Sequence, residues 1–359
     1  MGFYTKNGGL IGYGKITEKR GVYDLIASQI IGDSLYSFTS FTFTSAGQSG
    51  YQGPTLAQCQ SAYSGASFLA SYFSVSSGIQ QLTVPETGIY EIELRGGSGG
   101  GNTIGPCCSQ GCDPGQGALI ITRVTLTKGT VYNIVVGQTP TGAVSKNGSA
   151  GGGGTWIYTG SIGGSDLIAV AGGGGGWGHG TSSTTGGNGL GGNNSANGDS
   201  RRVSQDASVN GKVGNGTGST NGIGDGGGLA ATGSYGGASG GAGWLSDGSD
   251  RSGSYPSTGG HSGGSPNWQG GTSADNSVLY GGFGGGGGSN GSGEAGGGGG
   301  GYTGGPAGND WSGHKWGCGG GGGSYWTGTL VSATAGADGG TGGHLRSNAT
   351  NGYAKITKV

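Results

Sequence analysis

Four histidines (His179, His261, His314 and His344) and five cysteines (Cys59, Cys107, Cys108, Cys112 and Cys318) are the residues best suited to ligate a metal or carry a nucleophile. Zinc sites draw on closely spaced Cys or His pairs, so that neighbouring side chains converge on one ion. The four His stand far apart, and the cluster Cys107-Cys108-x3-Cys112 has no His nearer than His179. That spacing reads as a local disulfide or free thiols in a turn, and no metal is expected there. An odd cysteine count leaves at least one thiol unpaired within the chain. No His falls in a recognisable triad order. Asp166, Asp225 and Glu294 read as turn residues and not as an acid/base pair. Matches to Gly-x-Gly-x-x-Gly abound, but none follows a strand and opens a helix, as a phosphate cradle must. The chain is therefore not expected to be an enzyme or to hold a metal or cofactor.

Ring chemistry remains. Trp177, Tyr235, Trp244, Tyr255, Trp268, Trp311 and Trp316, together with His179 and His314, sit among Gly, Ser, Asn and Asp. In such a mix rigid aromatics stack on sugars or apolar patches while small polar residues adapt. These nine residues are candidate receptor contacts. The competing role for each ring is structural, as a hydrophobic cover over glycine-rich backbone.

The elements that must position these residues are unusual. Glycine supplies 101 of 359 residues, while 9 % are charged and 30 % hydrophobic. A single ordinary core throughout is excluded, because glycine gives up the most backbone freedom on folding and buries no side chain in return. Collagen is excluded too, since 8 prolines and uneven glycine runs break a Gly-X-Y register. Sixteen basic and 17 acidic residues leave a net charge of −1, so no basic stripe for nucleic acid is expected. No apolar run has the length of a secretory signal or a membrane span, and a chain made in the cytosol without membrane insertion is expected.

Three parts follow from the distribution of residues. Residues 1–32 form a short leader whose Val22, Tyr23, Leu25 and Ile26 are candidates for docking on another protein. Residues 33–170 read as a β-sandwich: Tyr90, Ile92 and Leu94 alternate with Glu91 and Glu93, and 118–127 and 131–136 are β-branched runs. Within it, Leu56, Cys59 and Tyr63 at helical spacing behind Thr55 predict a short helix. The run 352–359 reads as a strand that completes the same sandwich. Between them, residues 171–351 hold most of the glycine and six of the seven Trp. Large aromatics and dense glycine runs argue against a flexible linker. The expected solution is a bundle of left-handed polyglycine II helices, which have no internal hydrogen bonds and pair with one another through N–H and C=O groups.

The order Gly88-Ile89-Tyr90-Glu91-Ile92, Gly115-Gln116-Gly117-Ala118, Val136-Gly137-Gln138, Gly151–Gly154 with Thr155-Trp156, and Leu167-Ile168-Ala169-Val170-Ala171 before Gly172–Gly176 resembles the glycine-rich ectodomain of anaplastic lymphoma kinase-type receptors. Gly296–Gly301 with Tyr302-Thr303-Gly304-Gly305, Gly319–Gly323 with Ser324-Tyr325, and Gly352-Tyr353-Ala354-Lys355-Ile356 continue it. The resemblance implies an all-β fold, a tumour-necrosis-factor-like or jelly-roll sandwich with an inserted polyglycine II helix bundle. Gly8-Gly9-Leu10-Ile11-Gly12 and Gly21-Val22-Tyr23-Asp24-Leu25 are similar to attachment segments of bacteriophage tail-fibre and virion proteins. That second resemblance implies a virion adhesin exposed on the particle surface. Its leader would bind other virion proteins, and its loops a host surface glycan or protein. A homo-oligomer is expected, with a self-assembling filament or capsid-decoration subunit as the alternative.

Overall fold

The computed structural model describes residues 34–101, 114–141, 148–161, 167–178, 227–228, 230–231, 237–253, 256–263, 267–273, 279–290, 295–308, 310–311, 315–336 and 349–359. The strands that build the sheets are β1 (Ser40–Phe43), β2 (Phe73–Ser76), β3 (Ile79–Thr83), β4 (Gly88–Arg95), β5 (Leu119–Leu126), β6 (Val131–Val135), β7 (Thr155–Thr159) and β8 (Leu167–Ala171). Four more stand late in the chain: the short pair β9 (Asp310–Trp311) and β10 (Lys315–Trp316), then β11 (Tyr325–Trp326) and β12 (Thr329–Thr334). The last is β13 (Tyr353–Lys358). One sheet runs β1-β13-β4-β5-β12, and the other β11-β8-β7-β6-β3-β2, with every pairing antiparallel.

Strand periodicity sets the core between the sheets. On β4, Tyr90, Ile92 and Leu94 are fully buried while Glu91 and Glu93 keep partial exposure. Phe43, Leu82, Ile134, Ile157 and Ile356 complete the same cluster from the other strands. Residues of β7 are buried on both sides of the strand, and they divide between two clusters. Ile157 faces the sandwich core, whereas Trp156 and Tyr158 point to the opposite face of the six-stranded sheet. A strand covered on both faces reads as a continuous apolar run, and Trp156-Ile157-Tyr158 is one.

Helix α1 (Leu56–Ala62) is the only helix among the described residues. Thr55 caps it: its hydroxyl accepts from the Gln58 N–H at 3.3 Å, and Gln58 Oε1 accepts from the Thr55 N–H at 2.7 Å, a reciprocal capping box. Cys59 and Tyr63 turn into the core, but Leu56 stays 38 % exposed.

The expectation of a tumour-necrosis-factor-like or jelly-roll sandwich with an inserted polyglycine II helix bundle is corrected by these elements. The fold is a two-sheet antiparallel sandwich that combines the consecutive ladders β2-β3, β4-β5 and β6-β7-β8 with long-range pairings such as β1-β13 and β5-β12, and the described glycine runs are not helices. They are irregular segments continuous with the strands. β4 runs on into 96–101, β6 into 136–138 and β8 into 172–177, while 114–118 leads into β5, 148–154 into β7 and 319–324 into β11. The physical reason is that strands which continue as glycine need no separate module. Their main-chain groups carry lateral bonding beyond the last side chains of the sheet.

Those bonds are made between runs. Gly152 N–H donates to the Gly174 carbonyl at 2.9 Å, Gly174 N–H to Gly97 at 2.9 Å, and Gly97 N–H to Gly153 at 2.8 Å, so three runs close a triangle. Donors three residues apart reach the same neighbour: Gly151 and Gly154 bond Gly287 and Gly284, and Gly173 and Gly176 bond Gly300 and Gly297. The donors between them turn to other runs. Each buried main-chain group in these bonds thus finds a partner that a side-chain core would not offer it.

Candidate functional site

Glycine sets how closely the runs approach. A Cβ on Gly174 would fall inside the Gly115 carbonyl oxygen, and one on Gly153 inside that of Phe283. The assembled runs form a main-chain lattice that packs on the outer face of the six-stranded sheet through an aromatic cluster. Trp156 and Trp268 lie 4.1 Å apart between ring centroids, and Trp244 stacks at 5.9 Å from each. Phe283, Tyr158 and Val170 fill the space around them. The indole N–H of Trp268 donates to the Tyr158 hydroxyl at 3.2 Å, and that of Trp156 to the Gly284 carbonyl at 3.4 Å. Burial holds the Tyr158 phenol above its ordinary pKa.

Trp268 occupies its place at a backbone cost. Asn267 and Trp268 both have positive φ, 48° and 63°, a conformation that disfavours residues with a Cβ by about 1–2 kcal/mol each. The tight turn is held because Gly284 and Gly285 N–H groups both donate to the Trp268 carbonyl, at 2.8 and 3.2 Å.

The nine aromatic and histidine candidates separate as follows. Trp177, Trp244 and Trp268 are 1 %, 3 % and 0 % exposed. In this chain they are packing residues of the lattice and its cluster. Trp311 and Trp316 lie on the paired strands β9 and β10, where Lys315 pairs with Trp311 and Trp316 with Asp310 in the backbone register. His179, Tyr235, Tyr255 and His314 lie outside the described residues, as do the docking candidates Val22, Tyr23, Leu25 and Ile26. The structure therefore brings two of the nine, Trp244 and Trp268, into one cluster. It joins them to Trp156 and Phe283, which were not among the candidates. The signal for Trp156 was present in the two-sided apolar run of β7; Phe283, flanked by glycine, carried none.

Polar side chains link segments of the lattice: Ser239 Oγ and Ser257 Oγ lie 2.6 Å apart, and Ser289 Oγ donates to the Ala295 carbonyl at 3.0 Å. Asp247 accepts the Ser262 N–H at 2.7 Å through Oδ1 and lies 3.1 Å from His261 Nδ1 through Oδ2, tying two lattice turns together. Among the described residues no group of three His, Cys, Asp or Glu could hold a metal ion, and no helix is long and apolar enough to cross a membrane. The thiol of Cys59 is buried, and desolvation raises its pKa to about 11, the reverse of what a nucleophilic cysteine requires. No family model matches the chain.

Proposed function

We propose that the chain is a binding module, a surface adhesin of a phage particle that contacts a host glycan or protein. The observation that carries this reading is the lattice. Its runs satisfy one another through main-chain groups, so neighbouring sequences are free of any duty to fill a core. The described residues hold both ends of several such sequences. Gly178 bridges Gly148 before residues 179–226, and Gly227 N–H donates to Ser246 Oγ at 2.8 Å after them. Recognition loops gain affinity when their ends are fixed before binding, since less ordering entropy is lost on contact. In this reading the leader, with Val22, Tyr23, Leu25 and Ile26, attaches to other virion proteins, and the face away from the sandwich meets the host.

Deletion of residues 182–222 from the full chain tests this. Adsorption of the purified protein to a panel of candidate host bacteria, and to an array of their surface polysaccharides, is expected to fall at least tenfold while the β-rich circular dichroism is retained. Unchanged adsorption with the fold intact would remove the adhesin reading.

A further inference from the structure

The outer edge of β1 opens onto a groove of about 580 Å³, walled on the other side by residues 62–68. Its lining carries no charged side chain and includes the rings of Phe38, Phe41, Tyr63 and Phe68. Lys358 N–H donates to the Thr39 carbonyl at 2.8 Å, which sets the phase of the ladder. In the antiparallel register Thr39, Phe41 and Phe43 turn their main-chain groups toward β13, and Ser40, Thr42 and Thr44 turn theirs outward. Thr44 is satisfied, since its N–H donates to the Tyr63 hydroxyl and its carbonyl accepts from Gln80 Nε2, each at 2.8 Å. The main-chain groups of Ser40 and Thr42 have no hydrogen-bond partner among the described residues.

A second observation names what fits there. The sequence Gly12-Tyr13-Gly14-Lys15-Ile16-Thr17 matches Gly352-Tyr353-Ala354-Lys355-Ile356-Thr357 at every position but Gly14. The later copy is β13 with the glycine before it, the strand that already pairs with β1: Ile356 stands opposite Phe41, and Thr357 Oγ1 lies 2.8 Å from Ser40 Oγ. The earlier copy is poorly suited to displace it. Asn351 anchors the start of β13 by donating to Ser45 Oγ and the Gln48 carbonyl and accepting from the Thr139 N–H, each at 2.8 Å. Lys358 anchors the other end on Glu86. At the matching positions the earlier copy has Ile11, which can make none of the side-chain bonds, and Glu18, which repels Glu86. A β13-like strand that cannot take the inner edge of β1 has the outer edge left.

We propose that residues 12–17 add to the open edge of β1 as a further strand of the same chain. This does not rest on the adhesin reading. Residues 18–33 give the chain a reach of up to about 50 Å between that segment and Ser34, enough to fold back along the groove. A tether of this length holds the segment at an effective concentration in the millimolar range, which a second copy at micromolar concentration does not match. Pairing also closes an edge that would otherwise template aggregation.

Amide hydrogen exchange in the full chain is the test. Ser40 and Thr42 amides are expected to exchange at least tenfold faster in Ile16→Pro than in the unsubstituted chain, because proline removes a ladder donor. Photo-crosslinking from a benzoylphenylalanine at position 42, in an equal mixture of isotope-labelled and unlabelled chains that keep Ile16, reads the contact directly. Adducts to a peptide spanning residues 12–17, joined within one isotopic class, are expected. Equal exchange rates in the two proteins, adducts elsewhere, or adducts joining labelled to unlabelled chains would each overturn the proposal.

Discussion

At the scale of single residues, the glycines are not equivalent. Gly174 sits where a Cβ would strike the main-chain oxygen of Gly115, and backbone cannot swing aside as a side chain can. Gly88 opens β4 with nothing nearer to a Cβ than a Tyr90 ring carbon at 3.9 Å. Gly174→Ala is expected to destabilise by about 1–3 kcal/mol, the range for forcing an extra carbon into a packed site. Gly88→Ala is expected to be neutral or stabilising by up to about 1 kcal/mol through the unfolded chain. Urea titration of both variants checks the contrast, and equal losses would mean that close approach is not what the lattice glycines supply. The buried thiols give a second residue-scale prediction. With its pKa near 11 and no solvent access, Cys59 is expected to escape iodoacetamide at pH 8 in the folded protein. It is expected to be labelled within minutes of unfolding, as read by mass spectrometry of its peptide.

At the scale of elements, β13 couples the sheet to pH. The hydroxyl of Tyr353 donates to Glu93 Oε1 at 2.6 Å, and burial first, then that hydrogen bond, raises the phenol to about 12. An unfolded tyrosine loses its proton near pH 10. The folded state thus holds more protons between about pH 10 and 12, so this contribution is whole below pH 10 and disappears as pH rises through 12. Tyr353→Phe is expected to flatten the alkaline fall in melting temperature over that window. A slope identical to that of the unsubstituted chain would show that Tyr353 has no part in it. This strand, like β4, was legible in the sequence because its side chains alternate; α1 was legible because Leu56, Cys59 and Tyr63 follow a helical spacing behind a cap. The aromatic cluster was not. Trp244 and Trp268 lie among Gly, Ser and Asp whether they face solvent or a main-chain wall. Their partner Trp156 stands far away in the sequence, on the outer face of a strand. Glycine runs likewise declare that a Cβ is missing without naming the carbonyl that fills its place.

At the scale of the molecule, the question is whether sandwich and lattice can fold apart. The strands themselves continue into the glycine runs, and the runs bond across segments drawn from both halves of the chain, such as Gly152 with Gly300 and Gly173 with Gly322. The sheets depend on the late residues as well, since β11 edges one sheet and β12 the other. A lattice held by main-chain bonds has little apolar burial of its own, and each net hydrogen bond contributes only about 0.5–1.5 kcal/mol. It therefore draws on the aromatic cluster that joins it to β7. Removing that joint by Trp268→Ala deletes a fully buried ring, with an expected loss of about 3–5 kcal/mol. If the two layers are one cooperative unit, thermal unfolding followed by tryptophan fluorescence, which reports the cluster, and by far-ultraviolet circular dichroism, which reports the sheets, gives coincident midpoints. Both midpoints then move down together in Trp268→Ala. A lattice that melted first, leaving the circular dichroism transition in place, would mean that the sandwich stands alone and that the glycine runs are its passengers.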